Sequence, residues 1–176
     1  FDAVKVFTDY YKVEAENIKK QAAVDAAALK KVTTDKLASF AQAKASAIKL
    51  PSGLMYVVTQ KGSGKKPTNG TKVFVNYAGF LENGTLFDTS SPEVATAFGT
   101  FDPQRAAQNG YSPIPFEFGS KGAMIPGFEE GLSKLTIGDK AILFIPSKLG
   151  YGENGAGNVI PPNANIIFEV EMLDKM

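Results

Sequence analysis

Apolar positions in the first 49 residues recur at helical spacing: Val4, Phe7, Tyr11, Ala15, Ile18, Ala22, Ala26 and Leu29 step by three and four and trace one helix face. The segment is rich in Ala and Lys and contains no Gly or Pro, so local propensity and pattern agree. Val32-Thr33-Thr34-Asp35 brings β-branched and capping residues together, and a break is expected there. A second helix through Leu37, Phe40, Ala41, Ala45 and Ile48 would follow, ended by Pro51-Ser52-Gly53. Glu14, Gln21 and Asp25 fall where a sustained heptad would need apolar residues, which argues against a long parallel coiled coil.

From Gly53 the period changes. Leu54 to Thr59, Thr71 to Leu81, Thr85 to Asp88, Pro115 to Phe118 and Lys140 to Pro146 read as strands between turn signals, with Glu82-Asn83-Gly84 as a hairpin turn. In the closing strand Ile166, Phe168, Val170 and Met172 alternate with Ile167, Glu169 and Glu171, which predicts one buried face. Met124-Ile125-Pro126-Gly127-Phe128-Glu129-Glu130-Gly131-Leu132 is the exception. Pro126 suits a first helical turn, and Phe128, Leu132 and Leu135 form a dry face opposite Glu129, Glu130, Ser133 and Lys134. The predicted class is therefore α+β: a twisted antiparallel β-sheet wrapped around one short α-helix, preceded by an α-helical N-terminal extension. Residues 1–50 form an arm or linker and 51–176 the domain. A long irregular loop, 91–114, is inserted in that domain, with a helical turn expected near Glu93 to Phe98; excision of 94–112 is expected to spare the core.

Composition narrows the chemistry. The chain has no Cys and no His, which removes thiolate and Ser-His-Asp catalysis and the usual zinc ligands. A formal charge of +1 with scattered lysines does not make a nucleic-acid surface. Gly62-Ser63-Gly64 precedes no helix and reads as a turn, not a phosphate loop. No cofactor and no metal are expected. The chain starts at Phe1, so removal of a leader or an upstream segment is expected.

Five motifs then occur in order: Val75-Asn76-Tyr77-Ala78-Gly79, Gly84-Thr85-Leu86-Phe87-Asp88-Thr89-Ser90, Ile125 through Leu132, Gly150-Tyr151-Gly152, and Ile160-Pro161-Pro162-Asn163-Ala164. Together they resemble FKBP-type peptidyl-prolyl cis-trans isomerases over roughly Ser52 to Met176. The resemblance implies the same sheet-around-a-helix fold and an isomerase that assists protein folding. It also implies a pocket in which Tyr77, Phe87, Asp88, Phe128, Tyr151 and Phe168 are catalytic and Phe116, Met124, Ile125 and Ile160 bind substrate. In that carry-over Phe128 is the floor beneath the proline ring, where many members have Trp, and the Ile125 N–H and Tyr151 hydroxyl meet carbonyls. Ala156 stands where some members carry a larger ring.

Partners implied are proline-containing unfolded or partly folded polypeptides and macrolides such as rapamycin. Arm aromatics Phe1, Phe7, Tyr10 and Tyr11 leave open a dimerisation or substrate-gripping role beside a plain linker. The alternative function is an FKBP-fold chaperone or binding module with little isomerase activity. Arm plus domain is also similar to the Mip-type layout of bacterial envelope foldases, which implies an extracytoplasmic location.

Overall fold

In the computed structural model, which describes residues 3–176, the N-terminal apolar stripe lies on a single helix, α1, Ala3–Ala45. Phe1 lies outside the described residues. The expected break at Val32–Asp35 does not occur. The Thr34 hydroxyl donates to the Lys30 carbonyl at 2.8 Å within the helix, so a candidate cap is spent on an interior bond. Lys31 and Asp35 add an ion pair one turn apart across the same stretch. Ile48 leaves the helix for the two-residue strand β1, Ile48–Lys49.

The remaining strands are β2 Met55–Gln60, β3 Lys72–Leu81, β4 Leu86–Thr89, β5 Ile114–Glu117, β6 Lys140–Ile145 and β7 Ile166–Leu173. Among the described residues three short α-helices lie between them, α2 Pro92–Ala97, α3 Pro103–Ala107 and α4 Pro126–Leu132, with 3₁₀ turns at Ser147–Leu149 and Gly152–Asn154. All strand pairs are antiparallel, in the order β1-β2-β6-β7-β3, with β3 pairing both β4 and β5 along its length. The long central strand β3 is thus shared by two short partners on the edge away from β7, β5 along Lys72–Val75 and β4 along Ala78–Phe80.

Helix α4 fills that face. Phe128, Leu132 and Leu135 are buried with Val73, Val75, Leu143, Ile145, Phe168, Val170 and Met172. The helix presses on β6 through glycine: a Cβ at Gly127 would lie 2.5 Å from Ile145, and one at Gly131 2.6 Å from Leu143. After α4 the chain turns on Asp139, which is buried and accepts amide hydrogens from Gly62 at 2.7 Å and Thr136 at 2.8 Å.

The opposite face is also covered, contrary to the one-faced alternation read for β7. Ile167 is buried there with Ala78, Phe80, Ile142 and Phe144, beneath Phe40 of α1 and Phe98 just after α2. Phe80 makes edge contacts with both rings at 5.2 Å, and Lys36 of α1 pairs with Glu169 at 2.6 Å. Full burial of one such ring contributes about 1.5–3 kcal/mol, so the last turns of α1 belong energetically to the sheet. Residues 4–31 of the same helix are exposed and extend roughly 40 Å from that anchorage.

The 91–114 segment is more ordered than a loop. Ser91 and Asp102 cap α2 and α3, each followed by proline at the first helical position. Ala95 and Phe98 are buried, Phe98 in the second core with Val94 packed against it, so excision of 94–112 would remove core residues and not spare it.

Burial alone would raise the Asp139 pKa, but the Gly62 and Thr136 amides outweigh it and hold the carboxyl below its ordinary value. A carboxylate depressed in the folded state stabilises above its unfolded pKa and stops doing so as pH falls through the folded value. Asp139→Asn is expected to cost about 1–3 kcal/mol at pH 7. In urea unfolding, the gap to the parent should close below about pH 4; a gap independent of pH would show that charge is not what Asp139 contributes.

Candidate functional site

Between β3, β4, α4 and the turn at Tyr151 the concave face opens into a cavity of about 610 Å³. Its walls are Tyr77, Phe87, Asp88, Ile114, Gly122, Ala123, Met124, Ile125, Pro126, Phe128, Tyr151 and Phe168. A larger cavity, about 770 Å³, lies on the other face and carries several charged side chains in its wall, Lys36, Glu93, Lys140, Glu169 and Glu171. Chemistry, not size, singles out the first: a mostly apolar concavity with few polar groups is what a small organic or peptide ligand requires.

Phe168 is the hub. Its ring meets Phe128 at 5.1 Å and Phe87 at 5.5 Å, both edge to face, and Tyr77 at 6.3 Å. These rings converge because Gly79 lies opposite Phe168 in the β3–β7 register. A Cβ at Gly79 would sit 2.4 Å from the Phe87 ring and 2.8 Å from Phe168, so only glycine lets them close over the strand.

The polar edge is built on Asp88. Its Oδ2 accepts from the Tyr77 hydroxyl at 2.7 Å, and its Oδ1 accepts from the Thr89 amide at 2.8 Å and from Arg105 Nη1 at 2.9 Å. Burial first, and then the neighbouring carboxylate, push the Tyr77 phenol well above its ordinary pKa. Burial, aided by Asp88, also raises Tyr151. Both phenols therefore stay protonated and able to donate at any physiological pH. Among the described residues, the Tyr151 hydroxyl and the Ile125 N–H have no hydrogen-bond partner.

Glu129, assigned to the wet helix face from the sequence, instead folds back on the segment before α4. One carboxylate oxygen accepts from the Ala123 and Met124 amides, both at 2.9 Å, and the other from Gly122 at 3.2 Å. It thereby shapes the wall on which Met124 and Ile125 stand.

Of the ten residues named from the sequence, eight line the cavity: Tyr77, Phe87, Asp88, Met124, Ile125, Phe128, Tyr151 and Phe168. Phe116 and Ile160 do not; both are buried in the adjoining core, where Ile160 forms an isolated bridge with Ala156. Ile114 and Arg105 were missed. Ile114 follows from the pairing of β5 with Val75, which no local pattern announces. Arg105 reaches Asp88 across 17 positions, and only the Asp102-Pro103 helix start hinted at order there.

The family model for FKBP-type peptidyl-prolyl cis-trans isomerase matches residues 63–173. An FK506-binding protein of Neisseria meningitidis serogroup B is 40% identical over 121 residues, covering 69% of this chain and 94% of that protein. The FKBP-type peptidyl-prolyl cis-trans isomerase FkpA of Aeromonas hydrophila is 37% identical over 170 residues, which takes in 96% of this chain, arm included, and 55% of the relative. The crystal structure of FkpA from Escherichia coli superimposes with a TM-score of 0.56 at 30% identity, covering 97% of this chain and 68% of that one. The chain belongs to the family of FKBP-type peptidyl-prolyl cis-trans isomerases, enzymes that assist folding by acting on proline-containing polypeptides.

Proposed function

We propose that the cavity over Phe128 is where the X-Pro bond turns. The observation that carries this is an aromatic floor bordered by two unpaired donors, the Ile125 N–H and the Tyr151 hydroxyl. Rotation about the peptide bond is opposed by a barrier of ~18–20 kcal/mol, because twisting ends amide resonance while no bond to carbon breaks. No nucleophile is needed. The planar amide is more charge-separated than the twisted one, so a water-poor apolar wall disfavours the ground state more than the transition state. Phe128, Phe168 and Phe87 supply that wall around the proline ring. The Ile125 N–H and Tyr151 hydroxyl hold carbonyls on either side, and Asp88, with Tyr77 fixed on it, faces the reacting amide. Phe116 and Ile160 support the aromatic walls from behind and do not touch substrate.

Rapamycin or a similar macrolide, presenting an apolar ring and carbonyl oxygens, would occupy the same cavity. The exposed part of α1 carries Val4, Phe7, Tyr10, Tyr11, Ile18, Val24 and Leu29, each more than two-fifths exposed, and this apolar surface supports pairing with the arm of a second copy. An extracytoplasmic place of work is supported by the arm-plus-domain layout shared with FkpA-type isomerases.

On an X-Pro tetrapeptide the chain should accelerate cis-to-trans exchange, and rapamycin should abolish the effect. Asp88→Ala should lower kcat/KM about tenfold, or ~1.4 kcal/mol of transition-state stabilisation, with little change in melting; unchanged turnover in the folded variant would make Asp88 structural. Glu129→Ala, which frees three amides of the 122–124 segment, should mainly raise KM; an unaffected KM would mean that the wall holds its shape without it. For the arm, light scattering at micromolar concentration should give twice the chain mass, reduced to the monomer by Phe7→Glu with Tyr11→Glu. A monomeric parent would leave the linker reading.

A further inference from the structure

Arg105 is held on every side. Its Nη1 meets Asp88 at 2.9 Å, its Nη2 the Thr89 carbonyl at 3.0 Å and its Nε the Gly110 carbonyl at 2.9 Å, while the guanidinium lies 4.4 Å from the centre of the Tyr111 ring. The segment around it is built to present it. Asp102 caps the α3 amides of Gln104 and Arg105, and the Tyr111 hydroxyl accepts from the Asp102 amide at 2.9 Å. Phe101 stacks on Tyr111 at 5.6 Å. Gly110 leaves room for the arginine stem: a Cβ there would lie 2.5 Å from Arg105 Cγ.

Among the described residues, Asp88 is the only acidic or basic side chain lining the cavity. Were it uncompensated, its field would act on whatever residue flanks the bound proline, because a cavity of about 610 Å³ keeps the neighbours of the ring close to it. The guanidinium, 2.9 Å away, opposes that field. We propose that Arg105 is a positioning residue that fixes Asp88 and neutralises it. Through Arg105, the 91–113 insertion determines how well the pocket tolerates an acidic residue next to proline. The inference rests on the isomerase reading of the cavity.

The test compares the full chain with Arg105→Ala, Arg105→Lys and Gly110→Ala on three tetrapeptides that carry Glu, Leu or Lys before proline. In Arg105→Ala the ratio of kcat/KM for Lys-Pro over Glu-Pro should rise roughly three- to tenfold, the size expected for one exposed carboxylate acting across several ångströms of partly wet protein. Arg105→Lys, which keeps the charge, should hold the ratio within about twofold. Gly110→Ala, whose Cβ presses on the Arg105 stem and on its backbone carbonyl and so displaces the arginine without removing it, should move the ratio in the same direction by less. Arg105→Gln serves if the alanine variant does not fold. A uniform loss on all three peptides, with the ratio unchanged, would overturn the proposal and leave Arg105 a structural tie. If the parent itself accelerates nothing, the isomerase reading fails; the same ratio, taken from peptide affinities by NMR titration, then decides the role of Arg105.

Discussion

The aromatic pocket exists because one position on β3 has no side chain. Gly79 pairs with Phe168 across the central strands, and the Phe87 and Phe168 rings occupy the space its Cβ would claim. Remove that space and Phe87 and Phe168 must shift, disturbing the edge contacts among Phe87, Phe168 and Phe128 that close the floor. An aromatic cluster gains from geometry beyond the area it buries, so a displaced ring costs the pocket its shape before it costs the domain its fold. Gly127 and Gly131 apply the same logic to α4, which sits close enough to β6 to put Phe128 under the rings.

The second constraint is that both faces of the sheet are used. The concave face holds α4 and the site, and the other holds the end of α1 and the start of the insertion on a shared ring, Phe80. Phe40 and Phe98 therefore anchor two additions to one strand, β3, whose other side chains include Tyr77 in the pocket. Arm and insertion are thus seated on the strand that carries the site. The exposed reach of α1 is directed by a buried foot, with the Lys36–Glu169 pair at its edge.

What was legible in the sequence follows from how local the signals are. The long strand ending at Leu81, the Glu82-Asn83-Gly84 turn and the Pro126 helix start are short-range, and each is found where the pattern put it. The pocket rings were legible only through ordered motifs, since a lone Phe128 or Phe168 reads as core filling. Errors arose where tertiary contact overrode local preference. Val32–Asp35 looked like a helix break, yet Val32 packs toward the second core and helix continuity is worth more there than a cap. Ile167 read as a wet position because periodicity sees one strand at a time and cannot see α1 folding back over the sheet. Glu129 obeyed the helix-dipole rule in position but used its carboxylate on a neighbouring segment.

Residues 91–113 of the insertion show how an appended segment becomes part of a site without contributing a side chain to its wall. Capping by Ser91 and Asp102 and prolines at both helix starts make its local structure inexpensive in chain entropy. That leaves Phe98 to secure one end in the core and Arg105 to secure the other on Asp88. A partly exposed ion pair alone is worth little. This one differs in that the guanidinium is also fixed by two carbonyls and a ring, so little freedom remains to be lost when it meets the carboxylate. The consequence is chemical before it is energetic: the carboxylate that faces the cavity is presented already paired, by a residue outside the pocket wall.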